Sequence, residues 1–335
     1  MKILVTGAAG FIGFHVTRAL LARGDYVIGL DNLNSYYDVS LKKSRLENIP
    51  SKNFSFIHED LAKESELKNI FLQHSFDAVI HLGAQAGVRH SIENPNIYID
   101  SNIKGFLNIL EFSSKFSVNH LVFASSSSVY GANTNIPFSE SDHVNHPVSL
   151  YAATKRSNEL MAHAYAHLYD LQVSGLRFFT VYGPWGRPDM AYFLFTRAIL
   201  TNQPIKIFNN GLMKRDFTYI DDIVEGVLRV LDNPPANGEI KNVKSLSNIN
   251  NTKSNYQVFN IGNNKPVSLK DFIITIEEAT GKKAIKEFLP MQPGDVVETY
   301  ADIAALEAKV GFKPNTSLNQ GIDSFVQWYK EYYQI

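Results

Sequence analysis

A tyrosine and a lysine at helical spacing are the residues of this sequence best suited to move a proton. Tyr151 and Lys155 begin and end the segment Tyr-Ala-Ala-Thr-Lys, and residues four apart lie on the same face of a helix. A free tyrosine has a pKa of about 10, but a nearby ammonium and the positive end of a helix both favour the phenolate. The pair therefore predicts a general base that works near neutral pH.

Four consecutive serines, residues 125–128, end the apolar stretch that begins at His120. Ligands of doubly wound sheets bind at the carboxyl ends of the strands, which is where this run is expected. A serine there can hydrogen-bond a hydroxyl of a bound molecule and relay its proton to Tyr151. Serines also end strands for purely structural reasons, so the run alone does not say which of the four acts.

The segment 6–13, Thr-Gly-Ala-Ala-Gly-Phe-Ile-Gly, predicts a phosphate-binding turn between a strand and a helix. Gly7 permits the tight turn, Gly10 lets the backbone approach a pyrophosphate, and Gly13 allows the helix to pack closely on the strand. Asp31 follows at the end of the second apolar run. Its carboxylate can accept hydrogen bonds from an adenosine ribose and would repel a 2′-phosphate. The predicted cofactor is therefore NAD rather than NADP.

Short apolar runs alternate with helix-like segments through the first half of the chain. Strands are expected at 3–5, 26–30, 54–58, 78–82, 120–124 and 173–178, and the first helix at 11–23. This alternation predicts an α/β fold with a doubly wound parallel sheet (Rossmann) covered by helices on both faces. We expect an NAD-binding domain at 1–178 and a smaller, mixed substrate-binding domain at 179–335. Segments near 217–235 and 257–262 are expected to rejoin the first domain.

Composition excludes several classes of partner. The 335 residues carry a net charge of −1, which gives no electrostatic basis for binding nucleic acid or an anionic membrane. No apolar run reaches the ~20 residues of a membrane span, and the first residues lack the long apolar region and small-residue cleavage site expected of a signal peptide. The absence of cysteine excludes disulfides and thiolate catalysis, and the ten histidines show no metal-ligand spacing. We expect a cytoplasmic protein with no metal.

Three motifs resemble the extended short-chain dehydrogenases/reductases that act on nucleotide sugars: Gly-Ala-Ala-Gly-Phe-Ile-Gly at 7–13, Ser-Ser-Val-Tyr-Gly at 127–131 and Tyr-Ala-Ala-Thr-Lys at 151–155. The stretches 177–191 and 215–222 are similar to those of UDP-glucuronate 4-epimerases, and the resemblance covers nearly the whole chain. It implies an NAD-dependent isomerase that converts a UDP-sugar, with UDP-glucuronate to UDP-galacturonate as the expected reaction.

The resemblance also implies a mechanism and a set of cofactor contacts. Tyr151, tuned by Lys155, would take the C4 hydroxyl proton while hydride passes to NAD⁺; the 4-keto sugar would turn over and regain hydride on its opposite face. The catalytic hydroxyl aligns with Ser126, but Ser128 stands where galactose-type epimerases have threonine, so their division of labour stays open. The implied cofactor contacts are Gly7, Gly10, Phe11, Ile12, Gly13, Asp31, Asn32, Asp60, Leu61, Leu82, Ala84, Ala86, Asn102, Tyr151, Lys155 and Phe178.

The implied substrate contacts centre on a C6 carboxylate. Thr180 replaces the asparagine of galactose-type epimerases and would leave room for that carboxylate, whereas Arg187 would either bind it or pair with Asp189. Arg215 resembles the arginine that holds the UDP diphosphate, which suits its forked donors, and Asp295 resembles a carboxylate on the uridine ribose. The remaining expected substrate contacts are Arg89, Ser126, Ser127, Ser128 and Tyr151. For Arg89, an ion pair at the cavity rim is the alternative role.

Other functions remain open at this stage. A UDP-glucuronate decarboxylase shares the substrate and the first oxidation, and a UDP-N-acetylhexosamine or UDP-hexose 4-epimerase differs only in what faces C2 and C6. A 4,6-dehydratase would need an Asp-Glu pair where Ser127 and Ser128 stand. A non-catalytic NAD-binding regulator is disfavoured because the tyrosine and lysine are both present. Relatives imply a homodimer formed through helices near 96–116 and 151–169.

Overall fold

The computed structural model describes residues 1–235, 255–291 and 297–335. The strands are β1 (Lys2–Thr6), β2 (Tyr26–Asp31), β3 (Phe54–His58), β4 (Ala78–His81), β5 (His120–Ser126), β6 (Val173–Phe178), β7 (Thr180–Tyr182), β8 (Pro204–Ile207), β9 (Lys214–Tyr219), β10 (Tyr256–Ile261), β11 (Pro266–Ser268), β12 (Ile285–Phe288) and β13 (Glu298–Thr299). The helices are α1 (Phe11–Arg23), α2 (Val39–Glu47), α3 (Glu64–Gln73), α4 (His90–Glu93), α5 (Pro95–Tyr98), α6 (Gly105–Lys115), α7 (Leu150–Tyr169), α8 (Ala191–Leu200), α9 (Ile220–Asp232), α10 (Leu269–Thr280), α11 (Ala304–Val310) and α12 (Leu318–Tyr333).

Seven parallel strands form the main sheet, in the order β10-β6-β5-β4-β1-β2-β3. The chain reverses its direction of travel across the sheet between β1 and β4. A reversal of this kind opens a crevice at the carboxyl ends of the strands, where open α/β sheets bind ligands. The predicted α/β fold with a doubly wound parallel sheet is confirmed.

Each face of the main sheet is covered by helices. Ile3 and Val5 of β1 point into a core shared with α1, α9 and α11, while Leu4 between them belongs to a second core with α3, α6 and α7. Neighbouring strand residues point to opposite faces, so strands covered on both sides read as continuous apolar runs. This explains why alternation of polar and apolar residues was absent from the sequence.

The chain leaves the main sheet after Phe178 and enters a smaller sheet at Thr180. In that sheet β9 is hydrogen-bonded to β7, β11 and β13, with β11 antiparallel, and β8 pairs separately with β12. Helices α8, α10 and α12 share a third, aromatic-rich core with these strands. β10 returns to the main sheet beside β6, and the division into two domains stays a prediction.

Most elements of the main sheet lie where the sequence predicts them. The first helix has the predicted bounds, whereas β4 ends one residue earlier and β5 continues two residues further, to Ser126. The extension of β5 means that two of the serines belong to the strand itself. Among the residues that the structure describes, no helix is both long and apolar enough to cross a membrane.

Candidate active site

A cavity of about 1250 Å³ lies at the carboxyl ends of the main-sheet strands. It extends into the smaller lobe, the name used here for the strands outside the main sheet together with α8, α10 and α12. Sites for one small molecule usually measure ~300–1,000 Å³, so this cavity is larger than a typical site for a single ligand. Every cofactor and substrate residue predicted from the sequence lines it except Asn102 and Asp295. Asp295 lies outside the described residues.

The glycine-rich turn forms one wall and fits a pyrophosphate. Gly7 has φ +71°, and its N–H donates to the Leu30 carbonyl over 2.7 Å, which joins β1 to β2. A Cβ on Gly13 would lie 2.0 Å from the Gly7 oxygen, and a Cβ on Gly7 would lie 2.8 Å from the Gly83 nitrogen. Helix α1 follows with no side-chain cap at Gly10. Its first N–H groups and positive dipole end can therefore serve an anion.

The end of β2 supplies the polar groups expected around an adenosine. Asp31 is buried and accepts hydrogen bonds from the Leu33 N–H at 2.8 Å and the Ala9 N–H at 3.3 Å. The Asn32 amide donates to Asp60 over 2.8 Å, which links the second and third strands. These contacts fix the carboxylates at one end of the cavity, beside the glycine turn.

Helix α7 places the tyrosine and the lysine together. The Ser149 hydroxyl caps its first turn by accepting from the Ala152 N–H at 3.1 Å. Tyr151 is at the second helical position, and the Lys155 ammonium donates to the Ala124 carbonyl over 2.9 Å. Burial lowers the pKa of Lys155 to about 8. The two side chains line the cavity from the same helix face, as their spacing predicts.

The pKa of Tyr151 moves in the direction opposite to the prediction. Burial raises it, while hydrogen bonding to Ser126 and the charge of Arg187 act in the lowering direction. The cost of removing a phenolate from water therefore exceeds the stabilisation that Ser126 and Arg187 give to it. The predicted lowering of the Tyr151 pKa by Lys155 and the helix dipole is therefore wrong, because burial is the larger effect.

The serines divide into structural and cavity residues. Ser125 donates to Glu159 over 2.7 Å and ties β5 to α7. The Ser126 hydroxyl lies close enough to Tyr151 to lower its pKa through hydrogen bonding, and it accepts from the Ser128 N–H at 3.1 Å. Ser127 and Ser128 begin a short 3₁₀ turn that also lines the cavity. Ser126 is thus the serine whose hydroxyl acts on the tyrosine.

Arg187 lines the same cavity, and its guanidinium is paired with the carboxylate of Asp189. Its Nε donates to Asp189 Oδ1 at 3.0 Å and its Nη2 to Oδ2 at 2.5 Å, while Tyr36 donates to the same carboxylate over 3.1 Å. Burial works to lower the pKa of Arg187, yet pairing with Asp189 raises it overall, so the guanidinium stays charged. Thr180 at the start of β7 lines the same cavity.

The two other predicted arginines line the cavity from different parts of the chain: Arg215 lies on β9 of the smaller sheet, and Arg89 lies in the loop after β4, facing Phe208. Arg215 donates to the carbonyls of Lys214 and Val297 at 2.9 and 3.2 Å, and the guanidinium of Arg89 lies 5.3 Å from the ring centre of Phe208. Both side chains line the cavity. Their roles as diphosphate or carboxylate ligands stay predictions.

Asn102 lies behind the cavity wall. Its side chain accepts from the Gln85 N–H at 2.8 Å and donates to the Gln85 carbonyl at 3.0 Å and to Thr154 at 3.1 Å. Asn102 therefore holds the loop after β4 against α7. Since this loop is predicted to contact the cofactor, Asn102 supports the cofactor site from behind.

Sequence reasoning overlooked two residues of the wall. Tyr36 reaches Asp189, and the Lys42 ammonium donates to Asn34 over 3.0 Å near Asp31. Both follow β2 in a segment with no recognisable motif. Only the proximity of this segment to Asp31 in the sequence hinted at a place by the cofactor.

Comparison with known proteins agrees with this geometry. The NAD dependent epimerase/dehydratase family matches residues 3–244. The chain is 54% identical over 335 residues to Protein CapI of Staphylococcus aureus, covering the whole of both chains. It is 46% identical over 335 residues to the probable UDP-glucuronate 4-epimerase of Rhizobium meliloti, covering 100% of this chain and 98% of that one.

A solved structure with a similar fold holds ligands. The UDP-glucuronic acid 4-epimerase of Bacillus cereus, in complex with UDP-glucuronic acid and NAD, is 34% identical. It superposes with a TM-score of 0.87 over 99% of this chain and 100% of that one.

Proposed function

The chain belongs to the NAD dependent epimerase/dehydratase family, and we propose that it interconverts UDP-glucuronate and UDP-galacturonate by NAD-dependent 4-epimerisation. The resemblance seen in the sequence is confirmed by full-length relatives named for this activity. The glycine turn, Asp31 and the uncapped start of α1 fit the pyrophosphate and ribose of NAD. Bound NAD supplies the hydride acceptor and donor for the sugar C4.

The observation that carries the substrate assignment is a charged guanidinium in the wall of the cavity that also holds the base. The charge of Arg187 is close enough to act on the pKa of Tyr151. In a uronic acid, C5 alone separates the carboxylate carbon from C4. A cation that recognises this carboxylate must therefore lie near the base that works at C4. Neutral UDP-hexoses offer no partner for such a charge.

Tyr151 and Ser126 handle the proton in the proposed mechanism. Tyr151 takes the proton of the C4 hydroxyl, and Ser126, whose hydroxyl lowers the pKa of Tyr151, shares that proton with the sugar oxygen. The Lys155 ammonium keeps positive charge near the phenolate, which offsets the burial that raises the tyrosine pKa. Ser127, Ser128 and Thr180 offer further hydroxyls to the carboxylate. Tyr151 returns the proton to the C4 oxygen after the 4-keto sugar has rotated in the cavity and hydride has returned to its opposite face.

The diphosphate and uridine are proposed to extend into the smaller lobe. Arg215 supplies forked donors suited to phosphate oxygens, and Arg89 lines the same cavity. Asp295, in residues that the structure does not describe, is kept as the proposed ribose contact. The volume of the cavity permits the sugar to turn while these groups hold the nucleotide.

Incubation of the purified protein with UDP-glucuronate, followed by proton NMR, tests the proposal. We expect UDP-galacturonate to accumulate without a UDP-pentose. Release of a UDP-pentose would indicate the decarboxylase, and turnover of UDP-glucose or UDP-N-acetylglucosamine alone would favour the neutral-sugar epimerases. The Tyr151→Phe variant serves as the inactive control.

We propose a homodimer built on α6, α7 and the segment before α6. Exposed apolar side chains cluster there: Ile97, Ile99, Leu107, Leu160 and Leu168 are 39–67% exposed. Two such helices from each of two subunits could bury these side chains in a four-helix contact. The cytoplasmic location stays a prediction from the sequence.

A further inference from the structure

A fully buried arginine connects the cofactor end of the cavity, at the glycine turn, to the end where the sugar is proposed to bind. Arg45 of α2 has no exposed surface. Its Nη1 donates to the Ala9 carbonyl at 2.9 Å and to the Tyr37 hydroxyl at 2.7 Å. Its Nε and Nη2 donate to the Trp185 carbonyl at 3.1 and 2.7 Å, and Nη2 also reaches Gly186 at 3.2 Å. One side chain thus links the glycine turn to the segment that carries Arg187.

The acceptors of Arg45 are unusual for a buried cation. Arginine has five N–H donors, and the five hydrogen bonds go to carbonyls and a hydroxyl, all of them neutral. Burying a guanidinium among neutral partners carries a considerable desolvation cost. Its fork geometry, which a lysine lacks, lets it hold carbonyls of two separate segments at once.

The segment 183–189, called here the Arg187 loop, is held on consecutive carbonyls from the cofactor side. His15 of α1 contacts the Pro184 carbonyl over 3.0 Å, and burial lowers its pKa to about 4, so the neutral ring donates from Nε2. Arg45 holds the next two carbonyls. Trp185 has φ +61°, a conformation that bulky residues rarely adopt, so these bonds keep a disfavoured backbone in place.

The next residue along this backbone is the proposed carboxylate ligand. Arg187 uses Nε and Nη2 for Asp189, and neither bond involves Nη1. The Arg187 N–H also donates to the Tyr192 hydroxyl at 3.2 Å. The position of its guanidinium therefore depends on how the preceding three peptides are fixed.

We propose that Arg45 is a positioning residue: it holds the Arg187 loop against the glycine turn, so that recognition of the sugar carboxylate depends on it. This inference rests on the proposed function and extends it to a residue outside the cavity. The substrate group involved is an acidic sugar on a nucleoside diphosphate. UDP and UDP-glucose, which lack the carboxylate, should be insensitive to this contact.

Titration calorimetry with NAD-loaded protein tests the proposal, in a Tyr151→Phe background that prevents turnover. We expect Arg45→Gln to weaken UDP-glucuronate binding about tenfold, as for loss of one charge-assisted bond. Binding of UDP-glucose and UDP should change less than about twofold. Arg229→Gln is the matched control, because Arg229 also donates to two carbonyls, those of Val310 and Gly311, outside the cavity.

A double-mutant cycle decides whether Arg45 acts through Arg187. We expect Arg45→Gln combined with Arg187→Gln to bind UDP-glucuronate no more weakly than Arg187→Gln alone. Additive losses, or equal losses for UDP-glucuronate and UDP-glucose, would overturn the inference while leaving the proposed function intact. Failure of the unsubstituted protein to convert UDP-glucuronate would remove both. If thermal melting shows that the glutamine variant is unfolded, Arg45→Lys, which keeps the charge without the fork, takes its place in the same cycle.

Discussion

At the scale of single residues, burial shifts the pKa values of the two central groups so that their neutral forms are favoured. Burial raises the pKa of the Tyr151 phenol and lowers that of the Lys155 ammonium to about 8. Both shifts oppose the charged pair that catalysis requires. The positive nicotinamide of bound NAD and the charge of Arg187 favour the phenolate instead. The tyrosine is therefore expected to be an effective base in the loaded enzyme.

Replacement of Tyr151 by phenylalanine should abolish catalysis and spare the cofactor. Removal of a general base typically costs about 10²–10⁴ in rate, and the phenol is not needed to hold the glycine turn. Initial rates with UDP-glucuronate and the absorbance of bound NAD measure the two effects. Activity within a few per cent of the original would show that another group takes the proton.

Activity should fall as the pH rises through the pKa of Lys155. The lysine carries its charge below about pH 8 and loses it above, so kcat/KM should decline by about tenfold per pH unit beyond that point. Lys155→Arg, whose side chain stays protonated, should be less active but should lack this decline. An unchanged alkaline limb in the variant would assign it to a different group.

At the scale of elements, close approach of α1 to β1 depends on glycines. The N-terminus of α1 can approach a phosphate only because the turn before it has no side chains in the way. A Cβ at Gly13 would lie 2.0 Å from the Gly7 carbonyl oxygen. Real contacts of this kind do not occur, so the helix or the turn would have to move. The chemistry of the site therefore rests on backbone packing as well as on side chains.

Gly13→Ala should lose NAD affinity more than it loses stability. Overpacking costs about 1–3 kcal/mol, which corresponds to roughly a ten- to hundredfold loss if it falls on the binding turn. Gly281→Ala is the control, because this glycine ends α10 with φ +73° and open space around it. That control should lower the melting temperature and bind NAD normally. Equal NAD affinity for both variants would contradict the importance of the turn.

At the scale of the whole molecule, the cavity lies between lobes with separate hydrophobic cores. The main-sheet cores carry the glycine turn, Tyr151 and Lys155, whereas the third core supports the wall with Arg215. The Arg187 loop crosses between them and is held from both sides. The exposed apolar faces of α6 and α7 lie outside this arrangement, which leaves them available to a second subunit.

Leu168→Glu should convert the proposed dimer into a monomer. A charge at this position of α7 would be buried without a partner in the four-helix contact, and such burial is strongly unfavourable. Leu72→Glu on α3 is the control, since Leu72 is 61% and Leu168 67% exposed and both lie on helices of the same face. Light scattering coupled to size exclusion measures the mass. A dimer that survives Leu168→Glu, or a monomeric unsubstituted protein, would contradict the proposed interface.

The sequence by itself determined the fold class, the glycine turn and the pairing of Tyr151 with Lys155. These features depend on local spacing: strand and helix periods, a tight turn between them, and two residues one helical turn apart. Asp31 could be predicted for the same reason, because it ends the second strand.

Only the tertiary structure decided which groups meet across long stretches of chain. Arg45 and Trp185 are 140 residues apart, and no local pattern relates them. The structure also moved Asn102 from the cavity to the support behind it, tied Ser125 to Glu159, and reversed the predicted pKa shift of Tyr151. Burial is the common physical reason, because the cost of removing a charge from water depends on everything packed around it and cannot be read from neighbouring residues.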